Sequence, residues 1–311
     1  MFPIIPANSA TAASGNDNGI FGYGNANPPG GTHTAVTNIV SNVGVVASDV
    51  AGVGTARRQA AACEYGGDKG IFAYGTSPVR SMSNLVSNTG VVSTDVTGVG
   101  TARNGLGACG YGGDKGIFGF GTDGPGSYVS MSNLVSNAGV VATDTAGVGT
   151  GRSGPAACEY GGDKGIFGYG WIPAVMGVSM TNLVSNAGVV STDVAGVGTV
   201  RWQIAACGYG GDKGIFGYGS ITGGSTFTDV TNLVSNAGVV ATDTAGVGLD
   251  KSMLAACEYG QDKGIFGYGY NSGLSPFNYS TTNLVSNTGV LSTDVAGVGS
   301  NRRAIAACSF N

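Results

Sequence analysis

A ten-residue phrase constrains this chain more than anything else in it. Cys-Gly-Tyr-Gly-Gly-Asp-Lys-Gly-Ile-Phe at 207–216 recurs almost unchanged at 63–72, 109–118, 158–167 and 257–266, with a degenerate copy at 12–21 and a truncated one starting at Cys308. The register around it is fixed. Asn38, Asn84, Asn133, Asn182, Asn232 and Asn283 are each followed 11 residues later by an aspartate (Asp49, Asp95, Asp144, Asp193, Asp243, Asp294), and each aspartate 14 residues later by a cysteine. The isoleucine of Gly-Ile-Phe stands 8 residues after every cysteine that has one. All variation in repeat length falls between the Gly-Tyr-Gly piece and the asparagine. A period of about 50 residues kept in register marks one supersecondary unit packed against copies of itself. It makes 1–311 a single domain with a short N-terminal extension over 1–11.

Each repeat carries four short strand signals separated by turn chemistry. In one copy they are 204–209, 215–218, 230–234 and 239–244, followed by a Gly-rich connector at 245–248. Gly-Asp-Lys-Gly reads as a hairpin, a type I turn at Asp-Lys followed by a left-handed Gly. Phe216 and Tyr218 are expected on one face of the second strand, Ile215 and Gly217 on the other, where Gly lets a neighbour approach. No helical periodicity is present. Four antiparallel strands per repeat predict an all-β fold, a six-bladed β-propeller whose blades pack on both faces. The last cysteine strand has no partner after it, so it is expected to pair with the N-terminal hairpin and close the ring, removing free edges. A β-solenoid is the competing fold, but it needs end caps that the sequence does not offer.

Composition narrows the function. The chain has 59 Gly, only 10% charged residues and 42% apolar ones, so it is not the charged, apolar-poor chain of intrinsic disorder. Its formal charge is −4 with dispersed basic residues, which argues against nucleic acid as a partner. No apolar run reaches membrane-spanning length, and the first ten residues lack the pattern of a signal peptide. One cysteine per repeat, always at the same place, reads as a small apolar core residue. Disulfides are the alternative, but equivalent positions in successive units are expected beyond the ~7 Å limit for a bridge. The single histidine, His33, lies in a Gly/Pro/Thr loop with no sign of a nucleophile or acid partner. The Gly-x-Gly runs precede no helix and so cradle no phosphate. The chain reads as non-enzymatic and without a cofactor. Aspartate and arginine eight apart, such as Asp193 and Arg201, recur in every repeat and read as a tie between units.

The basic residue before the first strand (Arg57, Arg103, Arg152, Arg201, Arg302, with Lys251 as a variant) and the aromatic second strand Asp-Lys-Gly-Ile-Phe-Gly-Tyr-Gly resemble kelch repeats. The kelch double glycine is here Gly-Tyr-Gly, and the tryptophan of the last kelch strand is missing. The wording of the repeats is similar to kelch-like repeat proteins of tailed bacteriophages, especially of marine hosts. That resemblance implies a virion protein made in the host cytoplasm, structural or host-attaching. Its partners would be other virion proteins and a host surface glycan or receptor, with homo-oligomerisation an option. A free lectin-like carbohydrate-binding propeller is the second reading.

Strand parity divides the repeat into two rims. The first-to-second and third-to-fourth turns share one rim and hardly vary. The second-to-third loops (25–37, 76–83, 122–132, 171–181, 220–231, 270–282) and the connectors share the other and vary freely. Variable loops on a fixed scaffold are how binding surfaces are built, although loops also simply tolerate insertion. Arg80, Tyr128, Trp171, Trp202, Phe227, Tyr270, Phe277 and Tyr279 are the side chains of hot-spot type on that rim. The residue after each cysteine alternates, Glu64, Gly110, Glu159, Gly208, Glu258, Ser309. Three carboxylates on alternate repeats would surround the axis, either as solvated glutamates or as an oxygen-ligand site for a cation.

Overall fold

The computed structural model describes residues 17–26, 31–221 and 226–311. The 1–11 extension and the first part of the degenerate copy at 12–21 lie outside them, as do parts of two of the variable loops. The described residues contain no helix and are all β, arranged as several small antiparallel sheets.

Each repeat builds the same sheet. A cysteine strand such as Ala205–Tyr209 pairs with a lysine strand, Lys213–Gly217, and that with an asparagine strand, Thr231–Val234. Cys207 faces Ile215 and Phe216 faces Asn232 across the two ladders. The C-terminal strand Ala306–Phe310 pairs with Asn18–Gly22 in the same register, Cys308 opposite Ile20, so the end of the chain completes the sheet that its beginning lacks. This is the pairing that the unpartnered last strand predicts.

The hairpin differs from the expected turn. Tyr65 pairs with Lys69, which leaves a three-residue loop of Gly66, Gly67 and Asp68. The two left-handed residues are Gly66 and Gly67, at φ 67° and 76°, and Lys69 is already strand. A three-residue hairpin loop needs positive φ, and the Gly pair supplies it. The Gly after the lysine is small for another reason. A Cβ on Gly214 would lie 2.5 Å from the Cys158 Sγ of the preceding sheet.

The outer strand is also altered. Expected at 239–244, it touches its neighbour at two bridges only, Val234 with Val240 and Thr231 with Thr244. Between them the outer segment carries one residue more than its partner, a bulge. The Asn232 side chain fills the gap, donating to the Ala241 carbonyl at 3.0 Å and to Asp243 at 2.9 Å. Each repeat is therefore three regular strands and a bulged outer segment.

Side-chain alternation breaks at the Gly-Tyr-Gly piece. Tyr218 packs with Ile215 against Phe266 of the next sheet, whereas Phe216 faces Tyr169 of the previous one. Tyr218 has φ 65°, and that left-handed residue turns its ring to the opposite face from the one alternation predicts. An L-residue pays roughly 1–2 kcal/mol there. The ring is fully buried against Phe266 at 5.3 Å, which offsets the strain.

One recipe joins each sheet to the next. The cysteine of one sheet lies on the Gly of the next lysine strand: Cys63 on Gly116, Cys109 on Gly165, Cys158 on Gly214, Cys207 on Gly264, Cys257 on Gly19 and Cys308 on Gly70. All six thiols are free and buried, and burial pushes them well above the ordinary thiol range. The connector arginine lies in the same boundary. Arg57 stacks on Tyr23 of one sheet at 4.2 Å and donates to the Tyr74 carbonyl and the Asn84 side chain of the next, at 2.8 and 2.7 Å. Its acidic partner is Asp95 of the following repeat at 4.0 Å rather than Asp49, eight residues before it. The tie between units expected from the Asp–Arg recurrence is thus made across the boundary. Arg302 makes the equivalent bonds to the Tyr23 carbonyl and Asn38, and Ser300 bonds Asp49, so the last connector binds the first repeat.

Backbone hydrogen bonds run from hairpin loop to hairpin loop as well. Gly66, Gly112, Gly161 and Gly210 donate to the carbonyls of Asp114, Asp163, Asp212 and Asp262. Gly260 donates to Asp17 and Asn311 to Asp68, which returns the series to its start.

Candidate binding face

The two rims have different chemistry. On the repeated rim each lysine pairs with the aspartate beside it, Lys115 with Asp114 at 2.5 Å and Lys213 with Asp212 at 2.6 Å. The asparagine of the third-to-fourth turn bonds the same aspartate, Asn137 to Asp114 at 3.1 Å and Asn236 to Asp212 at 3.0 Å. The two turns share a rim, as parity predicts, and their side chains satisfy one another.

A cavity of about 240 Å³ opens among these turns and is lined by Glu64, Glu159 and Glu258. It narrows to a neck of about 30 Å³ walled by the cysteine strands of all six repeats. The alternation of Glu with Gly has a steric cause. A Cβ on Gly110 would lie 1.5 Å from Glu159 Oε1, and one on Gly208 would lie 1.8 Å from Glu258 Oε1. Each of those carboxylates leans over the preceding repeat, which must be Gly there. Glu64 leans instead on Ser309, whose backbone N–H donates to it at 2.8 Å. Burial raises the Glu64 and Glu159 carboxyls above their usual range, and for Glu159 the charges of Glu64 and Glu258 add to the effect. Among the described residues no three His, Cys, Asp or Glu side chains come together closely enough to hold a metal ion. Glu64, Glu159 and Glu258, considered from the sequence as a cation site, line this cavity together, with the Glu159 carboxyl raised by the other two.

On the other rim one backbone bridge is repeated with different side chains. It joins the residue after the connector's basic residue to the residue after Gly-Tyr-Gly: Arg58 with Thr76, Asn104 with Thr122, Ser153 with Trp171, Trp202 with Ser220, Ser252 with Tyr270, and Arg303 with Asn25. Successive bridges also touch. Trp171 packs on Trp202 at 6.1 Å, and Arg303 lies over Tyr270 at 4.3 Å.

The aromatic residues singled out from the sequence fall into two clusters. Tyr128, Trp171 and Trp202 form one, with Tyr128 on Trp171 at 5.2 Å. Phe227, Tyr270 and Phe277 border the other, with Phe227 on Tyr270 at 5.9 Å and Phe277 48% exposed. Tyr279 lies within a sheet opposite Arg302, its hydroxyl buried. Arg80 stands apart from both, bridged to Arg103. Sequence reasoning missed Asn25 and Asn278, both almost fully buried beside the second cluster. The signal was present for Asn25, which holds the same place after Gly-Tyr-Gly as Trp171 and Tyr270.

No helix among the described residues is long and apolar enough to cross a membrane. No protein-family model matches the chain, and a search of curated proteins finds no significant relative.

Proposed function

We propose that the chain is a six-bladed, kelch-like β-propeller of a tailed-phage particle, non-enzymatic, whose variable rim recognises a host surface glycan or receptor or docks other virion proteins. Support for the ring is the cyclic order of contacts, in which Cys308 on Gly70, Arg302 on Asn38 and Asn311 on Asp68 repeat, at the two ends of the chain, what every other pair of neighbours does. The observation that carries the recognition role is the set of six equivalent bridges, no two of which bear the same residues at the same two positions. Packing and closure are served by residues that repeat; side chains free to differ on a common backbone are suited to binding. Clustered tryptophan and tyrosine are hot-spot chemistry. The phage setting rests on the resemblance of the repeats alone.

Mass spectrometry of purified particles tests the setting: stoichiometric recovery is expected, and a chain found only free in the lysate favours the lectin-like reading. Attachment of the purified chain to host cells tests the face. Replacing Trp171 and Trp202 with Ala should weaken attachment by more than ~2 kcal/mol, roughly 30-fold. Lys115→Ala and Lys213→Ala on the repeated rim should change it little. The reverse pattern would show the face assignment to be wrong.

A further inference from the structure

A segment near each end of the chain reaches the variable rim, Asn25–Ala26 pairing with Arg302–Arg303, and beside that pairing lies a cavity with a buried amide oxygen facing no partner. Asn25–Ala26 and Arg302–Arg303 add to the hairpin of Lys263–Tyr270 and Asn278–Val285, giving a five-stranded sheet where other repeats have three. At its edge a cavity of about 170 Å³ is lined by Asn25, Tyr270, Phe277, Asn278 and Arg303, with Ala26 and Gly31 completing the wall.

Three kinds of group converge in it. Tyr270 and Phe277 offer apolar ring surface. Asn25 is 5% exposed, and its side-chain Oδ1 is buried with no hydrogen-bond donor. A buried acceptor left without a donor is costly, a penalty that a ligand hydroxyl would remove. Asn278 is 3% exposed and donates to the Asn25 carbonyl at 3.3 Å, which fixes the wall. Among the described residues that line the cavity, Arg303 alone is charged. Its guanidinium carbon lies over the Tyr270 ring at 4.3 Å from the centroid, and among the described residues it forms no ion pair. A planar fork of donors held in place and unpaired matches a carboxylate.

We propose that this cavity binds one acidic sugar residue, a uronic-acid-type pyranose. Its C–H face packs on Tyr270 and Phe277, a hydroxyl donates to Asn25 Oδ1, and its carboxylate meets Arg303. A neutral sugar satisfies the rings and Asn25 but leaves the guanidinium unpaired, and a phosphate or peptide carboxylate satisfies Arg303 but gives the rings no C–H face to cover. The cavity has room for one ring, so it reads a single residue, terminal or branching, of a longer glycan. The proposal rests on the reading of the variable rim as a recognition face and names the chemistry of one place on it.

The test is calorimetric titration of the full chain with methyl glucuronide, methyl glucoside and inorganic phosphate. The glucuronide should bind at least tenfold more tightly than the glucoside, and phosphate should not compete. Arg303→Gln should remove the preference for the acid, and Phe277→Ala, at an exposed position that cannot disturb the core, should weaken the glucuronide at least tenfold. Trp171→Ala with Trp202→Ala, in the other cluster, should leave it unchanged. Absence of glucuronide binding, equal binding of the glucoside, competition by phosphate, or indifference to both cavity variants would overturn the proposal. If the glucuronide fails to bind while the tryptophan variants still impair cell attachment, this cavity is wrongly assigned and the recognition face stands. If it binds as expected while attachment ignores every variable-rim change, the face reading falls and the cavity stands.

Discussion

At the residue scale the repeat is a set of close approaches that leave little freedom to the side chains involved. Each cysteine thiol occupies the space where the Gly of the next lysine strand would carry a Cβ, so the two residues are selected as a pair. Gly214→Ala should cost about 1–3 kcal/mol through overpacking, read as a lowered midpoint in chemical unfolding. Restoring room from the other side with Cys158→Gly in the same chain should recover part of the loss; a double variant no better than the single would separate the two sites. The glutamates of the cavity among the hairpin turns show the opposite situation, charge kept where burial opposes it. Glu159 has its carboxyl raised by burial and by Glu64 and Glu258, so the folded chain holds this proton to higher pH than the unfolded one. Stability from this group is present at acid pH and lost as pH rises through the raised value. Glu159→Gln should therefore raise Tm by about 2–4 °C at neutral pH, with the gain fading on acidification. A variant equal to the parent across the whole range would mean the carboxylate is solvated rather than enclosed.

At the element scale the boundary between sheets is the structural unit, and one of the six departs from the rest. Where the others have a buried arginine, the fifth has Lys251, over Tyr218 at 5.1 Å and bonded to Asn283 at 3.0 Å. The Tyr218 hydroxyl is left buried without a partner there, whereas Tyr23, Tyr74, Tyr169 and Tyr268 donate theirs to connector carbonyls. Burial lowers the Lys251 ammonium from 10.5 to about 8. Between those values the unfolded chain carries the extra proton, so stability rises with pH across that window, until the buried tyrosines, whose hydroxyls are held neutral above their usual range, begin to act the other way. Lys251→Arg should flatten the rise, measured as Tm between pH 8 and 10; an unchanged slope would place its origin elsewhere. The strand complement was legible because turns and apolar runs repeat six times in register. The outer strand's bulge was not, since it depends on Asn232 bonding a carbonyl nine residues away, which no periodicity reveals. Nor was the flipped Tyr218, because alternation presumes extended backbone and a positive φ at a non-Gly residue leaves no mark in the pattern.

At the scale of the whole molecule, the residues that repeat lie at boundaries and the residues that differ lie on one rim. The sequence separates these two sets by counting alone, which is why the variable rim was legible. The cavity at the seam was not. Asn25 and Asn278 are 253 positions apart, and only the joining of the chain's ends brings them together. Removing residues 302–311 takes away the strand opposite Asn18–Gly22, the bonds of Arg302 and one wall of that cavity. The truncated chain is expected to aggregate or unfold well below the intact one; equal melting would show that the ends do not support each other. The most direct test of closure is a set of distances between spin labels on the third-to-fourth turns, attached at cysteines introduced for Asn42, Asn88, Asn186 and Asn287, while the six native thiols stay buried and unlabelled. In a closed ring the 42–287 pair, first and last in sequence, is separated by about the same distance as the 42–88 neighbours, and 42–186 is the longest of the three. If 42–287 is instead the longest, the six sheets form an open array and the account of this chain as a ring is contradicted.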